Sequence, residues 1–309
     1  MPDGRFAPSP SARLHLGNLR TALIAWLFAR SEGDRFLVRI EDLDPVSSRE
    51  EHIDTAFADL AAIGLDHDAP VLRQSERRER HEEAVSMLVA TGETYPCFCT
   101  RREILADAEA AARAPHAPAF AYAGTCRDLG ARDRAEREAA GRRPTLRVRG
   151  QGRSFRFDDL VAGPTEGMID DFVIRRADGV PAYNLAVVVD DHDQGIGEVV
   201  RGDDLLSTTP RQLFLAELFG FDPPSYAHVP LVLDASGERL AKRHGAVTLA
   251  DQAELGRSAA QVRGLLAASL GLAAPDEPVS ADELLDRFDR RALPRLPWSM
   301  PIELLTSSA

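Results

Sequence analysis

The sequence has 309 residues, of which 37 are basic and 49 acidic, so the formal net charge is −12 at pH 7. Hydrophobic residues make up 44% and charged residues 28%, which is typical of a soluble globular protein and not of a disordered chain, a collagen or a coiled coil. The negative net charge excludes a generally basic surface for binding nucleic acid. No apolar run is long enough to span a membrane. Three cysteines do not make a disulfide framework. Without a signal-peptide pattern, we expect a cytoplasmic protein.

The first 94 residues alternate between strand and helix patterns. Residues 5–7 and 36–40 are predicted strands, and the first predicted helix carries an apolar stripe from Leu19 to Leu27 before a stop at Gly33. Further helices are predicted over residues 48–63, closed by Gly64, and over residues 75–90. This alternation indicates an α/β fold with a parallel sheet and helices on its faces.

The pattern changes after residue 94. Residues 95–170 are predicted to form an α+β insertion, rich in Ala, Arg and Pro in its first half, with a strand at 145–148. Strands are predicted again at 172–175, 185–189 and 228–233, and a helix over 209–218 that begins at Thr209-Pro210. The predicted domains are therefore 1–94 and 171–248 as two halves of one sheet, 95–170 as the insertion, and 249–309 as a short helical C-terminal region.

Two sequence motifs have the residue types that bind polyphosphate. The segment with His15, Gly17 and Asn18 lies between a strand and a helix, where free backbone N–H groups favour phosphate and a histidine can donate to it. The second segment, 238–245, is basic, ends in Gly245 and holds Lys242, the only lysine of the chain. Taken alone, the first motif could be a surface loop and the second a solvated run of charge.

Together, the two motifs resemble the signature pair of class I aminoacyl-tRNA synthetases, and the order along the chain is the same. Four further motifs resemble the catalytic core of the glutamyl-tRNA synthetase family over about residues 4 to 250. They are Arg5-Phe6-Ala7-Pro8-Ser9-Pro10, Arg39-Ile40-Glu41-Asp42-Leu43-Asp44, Tyr183-Asn184-Leu185-Ala186-Val187-Val188-Val189-Asp190-Asp191 and Arg201-Gly202-Asp203-Asp204-Leu205. The resemblance implies a Rossmann-type doubly wound sheet, with the nucleotide at the carboxyl ends of the strands.

The resemblance also implies roles for individual residues. The residues that it places around L-glutamate are Arg5, Phe6, Ala7, Pro8, Ser9, Glu41, Tyr183 and Arg201. Those that it places at ATP are His15, Gly17, Asn18 and Lys242, with His15 and Lys242 catalytic, and it implies that Mg²⁺ accompanies the ATP. The chemistry of the glutamate set agrees, because a dicarboxylic amino acid needs a guanidinium for each carboxylate and an acid for its ammonium group.

The length of the chain after Lys242 narrows the resemblance. Residues 249–309 are too few for the helical module with which glutamyl-tRNA synthetases read the anticodon. The shorter plan resembles the glutamyl-queuosine tRNA(Asp) synthetase family, which activates glutamate with ATP and attaches it to the queuosine base of the tRNA(Asp) anticodon. That resemblance implies a monomer whose partners are glutamate, ATP and queuosine-containing tRNA(Asp), without a membrane.

Three departures from the family motifs stand out. Asn18 replaces the last histidine of the first motif, Ser11-Ala12 replaces Thr-Gly, and the second motif reads Arg-Leu-Ala-Lys-Arg, with Ala241 and Arg243 where serines are usual. Alternative interpretations are a truncated enzyme that charges tRNA(Glu), a non-catalytic paralogue that binds glutamate or tRNA, and a small-molecule nucleotidyltransferase of the same superfold. The sequence indicates no general base for the transfer step.

The three cysteines lie within the predicted insertion. Cys97 and Cys99 on a short turn and Cys126 farther along could close a tetrahedral, structural Zn²⁺ site with one oxygen or nitrogen ligand. Reduced buried thiols are the alternative. His116 is a possible fourth ligand, whereas the family resemblance favours Tyr122. The flank 127–153 holds nine arginines against four acids and could contact RNA phosphates or form a solvated helix face.

Overall fold

Strands and helices alternate along most of the chain in the computed structural model, which describes residues 3–112 (without the side chains of 107–112), 122–150, 152–234, 236–240, 247–275, 277–301 and 304. The strands are β1 (Asp3–Phe6), β2 (Phe36–Ile40), β3 (Asp68–Arg73), β4 (Thr94–Cys97), β5 (Thr145–Val148), β6 (Ser154–Asp159), β7 (Gly163–Met168), β8 (Val173–Arg175), β9 (Ile196–Gly202), β10 (Ser225–Val229), β11 (Val232–Leu233) and β12 (Trp298–Ser299). The α-helices are α1 (Leu16–Ser31), α2 (Glu50–Ala62), α3 (Arg78–Ala90), α4 (Arg101–Ala112), α5 (Ala131–Ala139), α6 (Tyr183–Gln194), α7 (Thr209–Phe219), α8 (Leu249–Glu254), α9 (Ala259–Ala268) and α10 (Ala281–Arg287).

A five-stranded sheet of order β10-β9-β1-β2-β3 forms the centre of the fold, and all its neighbouring strands are parallel. Every residue of β1 and β2 is buried, as expected for parallel strands that are covered on both faces. Helix α1 packs against β1, β2 and β9 and contributes Leu16, Leu19 and Leu23 to the main apolar core. The predicted α/β fold with a parallel sheet is confirmed.

The strand order reverses at the centre of this sheet. From β1 the chain proceeds outward through β2 and β3 on one side, whereas β9 and β10 lie on the other side of β1. At such a switch point the loops after neighbouring strands diverge and leave a crevice outside the carboxyl ends of the strands. The loops after β1, β2, β9 and β10 therefore line one crevice.

The segment between β3 and β9 adds smaller sheets outside the parallel one. Strands β4, β5 and β8 form an antiparallel sheet, and β6 pairs with β7 in a hairpin. The strand at 145–148 was predicted, whereas β3, β4 and the hairpin were not. The domain divisions at residues 94, 170 and 248 stay predictions. In the part of the chain that the structure describes, no helix combines the length and apolarity needed to cross a membrane.

The prediction of a strand at 185–189 is wrong. These residues lie in α6, which begins at Tyr183 and ends where Gly195 adopts a positive φ of 69°. Residues 185–191 are all buried, because α6 packs against α3, α7, β8 and β9. A helix that is buried all round has no polar face, so its sequence shows no 3.6-residue period to separate it from a buried strand.

The single strand predicted at 228–233 is divided in two. Strand β10 ends at Val229, and β11 begins at Val232 and pairs with β12 from the C-terminal region. Pro230 lies between them and has no backbone N–H to donate to a strand ladder. The chain therefore leaves the parallel sheet at Pro230.

Candidate active site

A cavity of about 440 Å³ lies at the switch point of the parallel sheet. It contains every residue predicted for glutamate or ATP except Lys242, which lies outside the described residues. Its lining residues are Arg5, Phe6, Ala7, Pro8, Ser9, His15, Gly17, Asn18, Thr21, Glu41, Tyr183, Val200, Arg201, Gly202, Asp204, Leu205, Leu231, Val232 and Arg239. The fold thus brings together residues from six separate motifs, while their individual roles stay predictions.

Buried charges of both signs contact Arg5 and Glu41, two residues that line the cavity. Asp191 Oδ1 accepts hydrogen bonds from Arg5 Nε at 3.2 Å and from Arg39 Nη1 at 2.6 Å. Arg39 Nη2 also lies 3.4 Å from Glu41 Oε1. Burial opposes ionisation of Asp191, but the two guanidinium groups outweigh it and hold its pKa below the usual range. Asp191 thus fixes Arg5 directly and, through Arg39, the carboxylate of Glu41.

Glu41 differs from Asp191 in its ionisation. Burial raises the pKa of Glu41, although Arg39 and Arg5 lower it in part. A ligand ammonium group beside this carboxylate would favour its ionised form. The arrangement therefore suits a cationic group next to Glu41 and an anionic group next to Arg5.

Arg201, near the end of β9, also lines the cavity. Its Nε donates to His228 Nε2 at 3.0 Å, and its Nη2 donates to Thr209 Oγ1 at 2.9 Å. Its Nη1 is buried and has no hydrogen-bond partner among the described residues. A buried donor of this kind is costly unless a ligand acceptor meets it, so Arg201 is suited to bind an anion.

His15 begins helix α1 as its N-cap. Its Nδ1 accepts from the backbone N–H of Asn18 at 3.2 Å, and the Asn18 side chain accepts from the backbone N–H of His15 at 3.1 Å. Burial and the nearby Arg239 lower the pKa of His15 to about 4. The ring is therefore neutral at pH 7 with its proton on Nε2, which can donate to a phosphate oxygen.

Gly17 makes room for this ring. A Cβ at Gly17 would lie 3.0 Å from His15 Cε1 and Nδ1 and 3.5 Å from Val232 Cβ. Real Cβ atoms seldom approach other atoms this closely, so a larger residue would displace the imidazole. The cap also explains Asn18, whose amide oxygen bonds the backbone in a role that does not need an imidazole.

Only the start of the second motif is described. Arg239 lines the cavity, and its Nη1 donates to Asp204 Oδ2 at 2.7 Å. Residues 241–246, with Ala241, Lys242 and Arg243, lie outside the described residues. The roles predicted for Lys242 stay predictions.

The three cysteines and Tyr122 form a separate cluster at the end of β4 and in the segment that follows it. The three Sγ atoms all lie within 4.8 Å of one another. Tyr122 Oη lies 3.3 Å from Cys97 Sγ and 3.8 Å from Cys99 Sγ, and Cys99 Sγ lies 3.5 Å from Cys126 Sγ. Four ligands of a tetrahedral Zn²⁺ lie about 3.3 to 3.8 Å apart, so this donor set fits the ion, while His116 lies outside the described residues.

Several arginines of the flank 127–153 make contacts within the protein. Arg127 Nε donates to Asp171 at 2.6 Å, Arg142 Nη2 donates to Glu103 at 3.1 Å, and Arg147 lies over the Tyr122 ring at 3.9 Å. Helix α5, which the structure describes in full, buries none of its residues. Both interpretations of the flank, an RNA contact and a solvated face, stay open.

A larger cavity of about 730 Å³ lies in the C-terminal region between α9 and β12. It is lined mainly by apolar residues, and its charged groups bond within the protein. Arg257 Nη1 donates to Gln252 Oε1 and to the Leu304 carbonyl, both at 2.8 Å, and Glu277 pairs with Arg287 at 2.7 Å. The smaller cavity, with its convergent charges, is therefore the candidate active site.

Several residues of the site were not predicted from the sequence. Asp191 and Arg39 belong to quoted motifs but had no role assigned, and Asp204 and Arg239 were likewise unassigned. The pair Asp190-Asp191 directly after an apolar run was the available signal, since buried charges are rare unless paired. His228 carried no local signal.

The fold and the cavity together define a Rossmann-type α/β enzyme domain with a charged site at the switch point. A family model described as "tRNA synthetases class I (E and Q), catalytic domain" matches residues 3–306. The chain therefore belongs to this family of class I tRNA synthetases, which are ligases.

Relatives and solved structures agree with this assignment. The chain is 58% identical, over 96% of its length and 92% of the relative's, to a protein named glutamyl-Q tRNA(Asp) synthetase from Nocardia farcinica. It is 46% identical to a protein of the same name from Symbiobacterium thermophilum, over 98% of the chain and 97% of the relative. A crystal structure of a glutamate tRNA ligase from Elizabethkingia meningosepticum, in complex with its amino acid, is similar with a TM-score of 0.82 at 27% identity, over 97% of this chain and 67% of that one.

Proposed function

We propose that this chain activates L-glutamate with ATP and transfers the glutamyl group to the queuosine base in the anticodon of tRNA(Asp). The observation that carries the proposal is the joining of Arg5, Glu41 and Arg201 in one cavity with His15. The choice of acceptor is supported by two relatives, each named glutamyl-Q tRNA(Asp) synthetase, which this chain matches over more than nine-tenths of their lengths.

The first step forms glutamyl-adenylate. The α-carboxylate oxygen of glutamate attacks the α-phosphorus of ATP, the bond from that phosphorus to the bridging oxygen breaks, and pyrophosphate leaves. In this step Arg5 and Arg201 would bind the two carboxylates and Glu41 the ammonium group, while Phe6, Ala7, Pro8, Ser9 and Tyr183 complete the pocket. His15 Nε2 would donate to a phosphate oxygen, and the N-terminus of α1 with Gly17 and Asn18 would favour the negative charge.

Lys242 is proposed to bind the same polyphosphate, and Mg²⁺ supplies further charge neutralisation when bound with ATP. Catalysis would come mostly from positioning and from charge stabilisation. In the second step, a hydroxyl oxygen of the queuosine cyclopentenediol attacks the acyl carbon of the adenylate. The ester forms, AMP leaves with the electron pair of the broken acyl–phosphate bond, and the hydroxyl proton is released.

We also propose a structural Zn²⁺ bound by Cys97, Cys99, Cys126 and Tyr122. Burial raises the pKa of Cys99 to about 12, so this thiol stays protonated until a cation displaces its proton. The backbone N–H of Phe98 donates to Cys126 Sγ at 3.5 Å, a bond that suits a metal-bound thiolate. The ion would hold together a segment whose apolar cluster is small.

The test is glutamate-dependent ATP–pyrophosphate exchange by the wild type and by Lys242→Ala, with and without tRNA. Glutamyl-tRNA synthetases need tRNA for this step, whereas the queuosine family does not. Exchange without tRNA that the substitution abolishes is the expected result. Labelled glutamate should then become attached to queuosine-containing tRNA(Asp). It should not become attached to the same tRNA after periodate treatment or to tRNA(Glu).

Other results would favour the alternatives. Exchange only after tRNA(Glu) is added would favour an enzyme that charges the 3′ end of that tRNA, the activity class of the similar glutamate tRNA ligase. Absence of exchange under every condition would favour a paralogue that binds glutamate or tRNA without catalysis. Exchange with another carboxylic substrate in place of glutamate would favour a nucleotidyltransferase.

A further inference from the structure

Arg201 is fastened to the scaffold by one edge of its guanidinium group. Nε donates to His228 and Nη2 donates to Thr209, so one edge of the guanidinium group is hydrogen-bonded to the protein. Nη1 is left without a partner among the described residues, and Arg201 lines the cavity. The hydrogen bonds from Arg201 to His228 and Thr209 thus leave Nη1 as the nitrogen that can bind a ligand.

The bond from Arg201 to His228 requires one particular tautomer of the imidazole. Arginine has no acceptor, so His228 Nε2 must carry a lone pair and the ring proton must be on Nδ1. Nδ1 lies 2.6 Å from Asp159 Oδ2, which accepts that proton's hydrogen bond. The side chains of His228 and Asp159 are both 0% exposed, so water does not compete for these bonds.

Asp159 is itself held firmly. Its Oδ1 accepts from the backbone N–H groups of Val161 at 3.0 Å and Ala162 at 2.8 Å, and its carboxylate also accepts from the backbone N–H of His228 at 3.1 Å. Burial disfavours the charged carboxylate, but the His228 ring and these backbone donors keep its pKa below the usual range. Asp159 is therefore a fixed anion at the end of β6.

We propose that Asp159 and His228 are positioning residues for glutamate binding. Asp159 holds His228 as the neutral Nδ1–H tautomer, and His228 Nε2 then orients Arg201 so that Nη1 meets a carboxylate of glutamate. The ligand in this inference rests on the proposed function. Since Asp159 ends a strand of the β6–β7 hairpin, that hairpin acts on the parallel-sheet cavity without lining it.

Protonation of His228 would reverse the effect, because two donors would then face each other at Nε2. Burial opposes this and lowers the pKa of His228, which Asp159 raises and Arg201 lowers. The charged and titratable groups that face this ring from the surrounding elements are Arg5 on β1, Asp159 on β6, Arg201 on β9, Asp203 after β9 and Tyr226 on β10. The ring should therefore stay neutral throughout the pH range in which the cavity binds glutamate.

The first test needs no activity. Nitrogen-15 NMR of the imidazole rings in the full-length wild type would identify the tautomer of His228, with His228→Gln used to assign its signals. A protonated-type Nδ1 and a lone-pair Nε2 are expected at pH 7.5. An Nε2–H tautomer or a charged ring would overturn the inference, whether or not the protein uses glutamate.

The second test separates positioning from folding. Asp159→Asn removes the anion that fixes the tautomer, so the KM for glutamate in pyrophosphate exchange should rise about 10- to 100-fold, the range of a hydrogen bond to a charged group, while the KM for ATP is unchanged. His228→Gln, whose Oε1 can replace Nε2 as acceptor, should keep more glutamate affinity than His228→Leu. His81→Gln is the matched control, since His81 Nε2 makes a similar buried bond to Asp190 at 2.9 Å outside the cavity.

Some results would refute the positioning role, and others would refute the proposed function. An unchanged glutamate KM in Asp159→Asn, or an equal rise in His81→Gln, would refute the positioning role. Equal loss in His228→Gln and His228→Leu would do the same. A wild type that shows no glutamate-dependent exchange would refute the proposed function instead, and the tautomer found by NMR would then decide the inference.

Discussion

Asp191→Asn tests the charge network beneath the cavity. The side chains of Arg5, Arg39 and Asp191 are 3%, 0% and 7% exposed, and one carboxylate oxygen accepts from both guanidinium groups. Breaking a buried ion pair from one side costs about 3–5 kcal/mol. Because Glu41 stays 3.4 Å from Arg39 and offsets part of its charge, we expect a loss near the lower end, about 3 kcal/mol.

Urea unfolding followed by circular dichroism would measure this loss. Asp193→Asn is the control on the same helix, because Asp193 pairs with Arg77 and Arg80 at a site that is 23% exposed, where a pair contributes about 0.2–1 kcal/mol. The pKa of Asp191 is lower in the folded protein than in the unfolded chain. Its contribution to the free energy of unfolding is therefore complete above the pKa of the unfolded chain, about 3.9, and is lost as the pH falls through the pKa of the folded protein. A loss no larger than that of Asp193→Asn would refute the reasoning.

Three further predictions concern the other groups of the molecule. Gly17→Ala should displace the His15 ring and raise the KM for ATP about 10-fold with no change for glutamate, and equal changes for both substrates would contradict this. Because burial raises the pKa of Glu41, acidification from about pH 8 to about pH 5.5 should raise the KM for glutamate in the wild type more steeply than in Glu41→Gln. Chelation should release one zinc per chain, lower the melting temperature and expose three titratable thiols, whereas a purified chain without zinc would refute the metal site.

Much of the site could be predicted because its motifs resemble those of the glutamyl-tRNA synthetase family. Arg5 lies on β1, Glu41 follows β2 and Arg201 lies near the end of β9, so their motifs reach the same edge of one parallel sheet. Strands β1 and β2 were accessible from short apolar runs bounded by Gly, Pro and Asp, whereas β3 and β9 were not predicted and the strand order comes from the structure. The resemblance of these motifs therefore indicated the cavity without any knowledge of its side-chain contacts.

The supports behind the cavity could not be predicted. His228 meets Asp159 across 69 residues and Arg201 across 27, and no local spacing links such positions. Helix α6 was mistaken for a strand because five consecutive apolar residues fit both elements when every side is buried. Sequence patterns report which residues are buried, whereas the partners of buried polar groups depend on the tertiary fold.

The guanidinium groups of Arg5 and Arg201 differ in the groups that they contact within the protein. Asp191 bonds to Arg5 at 3.2 Å and offsets its charge, whereas the described hydrogen-bond partners of Arg201 are an uncharged imidazole and a hydroxyl. The charge of Arg201 is thus available to bind an anionic ligand, and its burial lowers the free energy of unfolding.

Arg201→Met should therefore raise the free energy of unfolding, by about 1 kcal/mol, while it abolishes glutamate-dependent exchange. His228 Nε2 would still accept from the Thr209 hydroxyl, 3.2 Å away, so the substitution leaves no acceptor unpaired there. Arg5→Met should instead lower the free energy of unfolding, because Asp191 then keeps one guanidinium partner of two. Urea unfolding of both variants would measure these changes. A lower free energy of unfolding in Arg201→Met would mean that the charge of Arg201 stabilises the fold, and would refute this prediction.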